Sequence, residues 1–162
     1  MSDTAGEATQ RRHLGDEAAT QALGGAIAAV WTRPLAGVIW LQGDLGAGKS
    51  TLARAFLRAL GVTGAVRSPT YTLVEPYRTD AGAVLHMDCY RLGGPDELAM
   101  LGLRDTPPSD ALWLVEWPER AADALPPADL MVALGTSGSG REAVLRAPEN
   151  GLLDAILHSM PE

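Results

Sequence analysis

Lys49 is the only lysine in the chain, the other twelve basic residues being arginines, and it stands in Gly43-Asp44-Leu45-Gly46-Ala47-Gly48-Lys49-Ser50. The spacing Gly-x-x-x-x-Gly-Lys-Ser is that of a P-loop. Its glycines let the backbone curl so that successive N–H groups face phosphate oxygens, and a helix starting at the loop adds its positive end. Lys49 would neutralise the β and γ phosphates. Ser50 would offer its hydroxyl to Mg2+, a hard cation that takes few protein oxygens beside phosphates and water.

Such chemistry also needs carboxylates. Glu116 follows the apolar run Leu112-Trp113-Leu114-Val115, where an acid at the strand end would face the loop and the cation. In Val84-Leu85-His86-Met87-Asp88-Cys89-Tyr90 a period of two puts Leu85, Met87 and Cys89 on a core face. His86, Asp88 and Tyr90 share the other. Thr70, in Ser68-Pro69-Thr70-Tyr71, has two readings, a loop that senses the γ-phosphate or a plain β-turn. A guanine-reading Asn-Lys-x-Asp motif cannot occur, because the one lysine belongs to the P-loop; this favours ATP.

Secondary structure must position these groups. Asp16 can cap a helix whose apolar positions Ala19, Ala22, Leu23, Ala26, Ile27 and Val30 recur at helical spacing, ending near Arg33-Pro34. Val38–Leu41, apolar without alternation, reads as a strand covered on both faces. It runs into the P-loop, and a helical pattern follows to Gly61. Tyr71–Tyr77 and Ala83–Tyr90 read as a hairpin. Pro95 opens a short helix and residues 118–124 suggest another. A second hairpin spans Asp129–Leu134 and Glu142–Ala147, and a helix over Gly151–Met160 closes the chain. The expected fold is an α/β P-loop NTPase three-layer sandwich with a mixed, mainly parallel central sheet. It forms one domain over residues 13–162, preceded by a flexible arm over residues 1–12.

Composition narrows the function classes. The chain has 162 residues, 46% hydrophobic and 20% charged, which suits one folded domain. A net charge of −7 opposes the counterion release that drives independent binding to nucleic-acid backbones. Cys89 is the sole cysteine, so a cytoplasmic setting is expected and a cysteine zinc site is not. Residues 1–17 carry no apolar signal segment, and no run reaches the ~20 apolar residues of a membrane-spanning helix.

Four strings together resemble the TsaE (YjeE-type) family. They are Gly43-Asp-Leu-Gly-Ala-Gly-Lys-Ser-Thr51, Ser68-Pro-Thr-Tyr-Thr-Leu-Val-Glu-Pro-Tyr77, His86-x-Asp88-x-Tyr90-Arg91-Leu92 and Val115-Glu116-Trp117-Pro118-Glu119. They occur in the family's order and spacing, and the resemblance runs from about residue 13 to the C-terminus. It implies a cytoplasmic Mg-dependent ATPase, slow without partners, required with TsaB and TsaD for threonylcarbamoyladenosine modification of tRNA next to the anticodon. The tRNA would be met only indirectly, through those partners.

The resemblance also implies site residues. Lys49, Asp88 and Glu116 would be catalytic, and Ser50, Asp88 and Glu116 would bind the metal. By the resemblance Glu17 and Arg141 would line the nucleotide, together with Gly43, Gly46, Ala47, Gly48, Lys49, Ser50 and Thr51 of the P-loop and, on the γ-phosphate-sensing reading of its loop, Thr70. Ser50 stands where the family more often has threonine; both supply a hydroxyl. Two other classes share a P-loop: a small-molecule kinase, and a nucleotide-gated binding module with negligible turnover.

Overall fold

Asp16 starts the first helix, α1 (Glu17–Val30), by accepting the Ala19 N–H on its side chain at 2.9 Å, which satisfies one of the first-turn amides that have no helical acceptor. The computed structural model describes residues 6–31, 35–69, 73–93, 95–99 and 101–161. Strand β1 (Ala8–Leu14) precedes α1. Strand β2 (Gly37–Gln42) leads through the P-loop to α2 (Lys49–Ala59), and β3 (Val74–Thr79) and β4 (Gly82–Asp88) form a hairpin. Then come the short α3 (Pro95–Ala99), β5 (Ala111–Glu116), the hairpin β6 (Leu130–Ser137) and β7 (Gly140–Ala147), and α4 (Asn150–His158).

One seven-stranded sheet runs in the order β1-β7-β6-β2-β5-β4-β3. Its middle four strands, β6, β2, β5 and β4, pair in parallel, while β7 on β6, β1 on β7 and β3 on β4 are antiparallel. Parallel strands are buried on both faces, so they read as unbroken apolar runs. All six residues of β5 are buried. In β2, Ile39 and Leu41 face one apolar cluster, and Val38 faces the other with Trp40 packed against it. The first cluster takes Leu23, Ile27, Leu52, Phe56, Leu153 and Ile156 from α1, α2 and α4. The second lies under α3 and the turns after β5, with Leu98, Ala121 and Leu125. The expected mixed α/β P-loop architecture is therefore present.

Close packing of α1 on α2 depends on Gly24. A Cβ there would stand 2.5 Å from the Leu52 carbonyl oxygen and 3.0 Å from Ala55 Cβ, and backbone cannot yield as a flexible side chain does. Gly24→Ala is expected to destabilise the fold by about 1–3 kcal/mol through overpacking, despite the better helix propensity of alanine. A thermal melt reads this directly; an unchanged or raised midpoint would show that the helices separate freely.

Two expectations change. Residues 8–12, expected in a flexible arm, belong to β1, whose seven residues pair in register with β7 from Ala8↔Ala147 to Leu14↔Arg141. Apolar periodicity missed this edge strand because its inward positions include Gln10 and Arg12, with only Leu14 fully buried. Gln10 reaches α4 by hydrogen bonds to Asn150 Oδ1 at 3.1 Å and Asp154 Oδ1 at 3.4 Å. Residues 118–124 form two 3-10 turns, Pro118–Arg120 and Ala122–Ala124, in place of a helix. Pro126 and Pro127 follow too closely for an α-helix to propagate.

Candidate functional site

The carboxyl ends of the parallel strands converge. Gly43 continues β2, Asp88 ends β4 and Glu116 ends β5, with Glu116 in register with Asp88 on one side and Leu41 on the other. Gly43 adopts φ +145, and a Cβ there would lie 2.5 Å from the Leu134 carbonyl oxygen of β6. Glycine is thus required both by conformation and by close approach.

Lys49 opens α2 but its side chain turns back beneath the loop. Its Nζ donates to the carbonyls of Gly43 and of Asp44, the latter at 3.0 Å, and sits 4.3 Å from the centroid of the Trp117 ring, within cation–π range. The residue is 5% exposed. Burial lowers its pKa from the usual lysine value, and the charges of Glu116, Glu119, Asp88 and Asp44 oppose that shift. Trp117 holds its ring there from a left-handed backbone, φ 55, which costs a non-glycine residue about 1–2 kcal/mol. Tyr90 packs on it at 4.8 Å between ring centroids.

Glu116 is 2% exposed, and each of its oxygens has a partner. Ser50 Oγ donates to Oε1 at 3.2 Å, and His86 Nε2 meets Oε2 at 2.6 Å. An ionised carboxylate only accepts, so this contact uses the Nε2–H form of the ring. The other ring nitrogen, Nδ1, is buried and has no partner among the described residues. Asp88 Oδ1 accepts the Tyr90 N–H at 2.9 Å. Ser50 and Glu116, 66 positions apart, are thus joined, and Asp88 stands beside Glu116 in strand register.

Arg141, at the start of β7, reaches the loop from its other flank. Its Nε donates to Ala47 O and its Nη2 to Gly46 O, both at 3.0 Å. Beside it opens a cavity of about 270 Å³ lined by Asp16, Glu17, Thr20, Gly46, Gly48, Thr51, Ser139, Gly140 and Arg141. Of the residues expected from sequence, Glu17, Gly46, Gly48, Thr51 and Arg141 meet at this cavity. Lys49, Ser50, Asp88 and Glu116 meet beneath the loop, with Gly43 and Ala47 in the loop itself. Thr70 lies outside the described residues. His86 and Trp117 had no assigned place in the site. The signal for His86 was its position two residues before Asp88 on the same strand face.

The neighbouring Cys89 is 1% exposed, and burial, reinforced by the charges of Asp88 and Glu119, pushes its thiol up to about 12. The nucleophilic thiolate is thus absent at neutral pH. Native protein at pH 8 is expected to resist a thiol-specific colorimetric reagent, and protein in denaturant to react with one equivalent. Rapid native reaction would show that this strand end opens.

A sequence model described as threonylcarbamoyl adenosine biosynthesis protein TsaE matches residues 14–143. The chain belongs to the TsaE family. It is 43% identical over 113 residues to the tRNA threonylcarbamoyladenosine biosynthesis protein TsaE of Haemophilus influenzae, covering 70% of this chain and 72% of that protein. To the protein of the same name from Bacillus subtilis it is 36% identical over 107 residues, covering 66% of each. The crystal structure of Bacillus subtilis YdiB is similar to this fold, with a TM-score of 0.75 and 26% identity over 95% of each chain. The matched span holds every TsaE-like motif read from the sequence, and also Arg141. No described helix is long and apolar enough to cross a membrane.

Proposed function

We propose that this TsaE-family chain is a Mg-dependent ATPase acting in the cytoplasm with TsaB and TsaD in threonylcarbamoyladenosine modification of tRNA. The observation that carries the reading is Ser50 Oγ on Glu116 Oε1 at 3.2 Å. It couples the P-loop hydroxyl to an acid on the adjacent parallel strand, the pairing that phosphoryl-transfer sites of this fold class need.

The residues fit the group they would hold. Gly46 and Gly48 adopt φ +79 and +108, conformations that leave an open backbone cradle for phosphate. Ser50, Asp88 and Glu116 supply oxygens alone, the donor chemistry of a hard cation. Mg2+ dehydrates reluctantly and takes few protein oxygens, so the cation would share its ligation with the nucleotide and water. When bound, Mg2+ supplies charge neutralisation at the β and γ phosphates.

The chain's own groups do the rest. Lys49 Nζ exchanges its loop carbonyls for phosphate oxygens. Glu116, held by His86, accepts a proton from the attacking water, whose oxygen bonds to the γ-phosphorus as the bond to the ADP oxygen breaks and ADP leaves with that electron pair. The cavity beside Glu17 and Arg141 takes the nucleoside. The net charge of −7 leaves contact with tRNA to the partners.

Phosphate release from Mg-ATP tests this, measured on the chain alone and then with TsaB, TsaD and tRNA. Turnover that is slow alone and rises with the partners is expected. Fast turnover indifferent to them would overturn the coupled reading, and ADP formation that needs an added small acceptor would identify a kinase instead. Nucleotide-dependent partner binding without turnover would identify a gated binding module.

A further inference from the structure

Helix α2 has no acidic residue, and its solvent face carries Arg54 and Arg58, both exposed. Four residues apart, the two guanidiniums leave the same side of the helix, where like charges repel. Neither forms an ion pair among the described residues. Arg58 donates to the Val62 carbonyl at 3.0 Å, and Arg54 has no hydrogen-bond partner among those residues.

A groove of about 300 Å³ opens beside this pair, between α1 and α2, lined by Gln21, Thr51, Arg54, Ala55 and Arg58. Its lining holds two cations, no carboxylate and no aromatic ring. The chain as a whole has 20 acidic residues against 13 basic ones, so the balance is reversed here. Glu17, the one acid of α1, belongs to the cavity at the P-loop. Thr51 lines both hollows and directly follows Ser50. The groove therefore lies along the same helix that carries Lys49 and Ser50.

We propose that this groove docks an acidic segment of a protein partner, whose carboxylates pair with Arg54 and Arg58. The chemistry favours a protein over an RNA. No ring in the lining offers a base a stacking surface, two cations displace few counterions, and a net charge of −7 repels a polyanion. A short acidic segment brings only the few charges that the arginines can match, and such pairs steer association. The proposal rests on the reading of TsaB and TsaD as partners and adds to it where on this chain they bind.

Surface plasmon resonance of the full chain over immobilised TsaB–TsaD complex tests it, comparing the natural sequence with Arg54→Glu and with the double variant Arg54→Gln/Arg58→Gln. At low salt both variants are expected to associate about tenfold or more slowly, and the difference should shrink as salt is raised. Arg54→Glu sets a carboxylate four residues before Arg58, a pairing that supports the helix. Its thermal midpoint should therefore hold or rise while its association slows, a combination that a merely structural role would not give. Affinity for Mg-ADP should stay within about twofold of the natural chain. Equal association rates at low salt, or slowing that salt leaves intact, would overturn the proposal. Weaker binding of isolated tRNA with unchanged binding of TsaB–TsaD would overturn it in favour of RNA, and weaker Mg-ADP with unchanged association would give the arginines to the nucleotide. If the natural chain itself does not bind TsaB–TsaD, the partner reading fails and takes this proposal with it; if all the proteins bind alike, the proposal fails alone.

Discussion

Lys49→Ala is expected to lower partner-stimulated turnover of Mg-ATP by about two to three orders of magnitude, the effect of removing one preorganised charge from a phosphoryl-transfer site. The ammonium is held at the loop. Its hydrogens go to Gly43 O and Asp44 O, its charge lies over the Trp117 ring, and it is almost wholly buried. Burial is the largest influence on it and lowers its pKa, so it bears a desolvation penalty that the loop carbonyls and the nearby carboxylates, Glu116 foremost, offset only in part. A charged phosphate oxygen would be a stronger partner for the ammonium than these neutral carbonyls. Lys49→Arg is expected to fare little better, because a planar guanidinium does not fit the buried space of an ammonium. Phosphate release beside a fluorescent ADP-analogue titration measures both variants. Turnover within a few-fold of the natural chain would remove Lys49 from the mechanism.

Glu116→Gln is the second large effect, a fall in turnover of about 10²–10⁴ expected for loss of a base, with nucleotide affinity changed by only a few-fold. Glutamine keeps an oxygen for the Ser50 hydroxyl but turns its amide NH2 towards His86 Nε2. Two donors then face each other unless the ring takes its Nδ1–H form, and Nδ1 is buried without a partner among the described residues. An unsatisfied buried donor costs about 1–3 kcal/mol, so the variant should also melt lower. His86→Leu is expected to lose much of the same turnover, and the double variant less than the product of the two losses, because both act through one carboxylate. Additive losses in that cycle would show that His86 does not work through Glu116.

How much of this was legible in the sequence depended on whether the signal was local. The P-loop, its strand and its helix are contiguous, and Lys49 and Ser50 could be placed from spacing alone. The helix-capping role of Asp16, the β3–β4 hairpin and the burial of β2 on both faces likewise followed from nearby residues. Arg141 was named through the family resemblance alone; its hydrogen bond to Ala47 O spans 94 positions, and no local pattern near residue 141 points to carbonyls in another element. His86 was visible as a polar residue on the Asp88 face, yet its bond to Glu116 depends on the parallel pairing of β4 with β5. Edge strand β1 escaped for the opposite reason, since a polar strand at a sheet margin has a weak apolar signal.

That margin has a bearing on how the protein behaves when crowded with copies of itself. An open sheet ends in two rows of unsatisfied backbone groups, each a template for strand addition and aggregation. Here one terminal strand is β3, with Pro76 at its third position, and the other is β1, with Arg11, Arg12 and His13. Proline cannot donate to an added strand, and two neighbouring arginines repel a second copy in register antiparallel or parallel alike. The same polar residues that hid β1 from a hydrophobic reading therefore guard the sheet against growing beyond its seven strands.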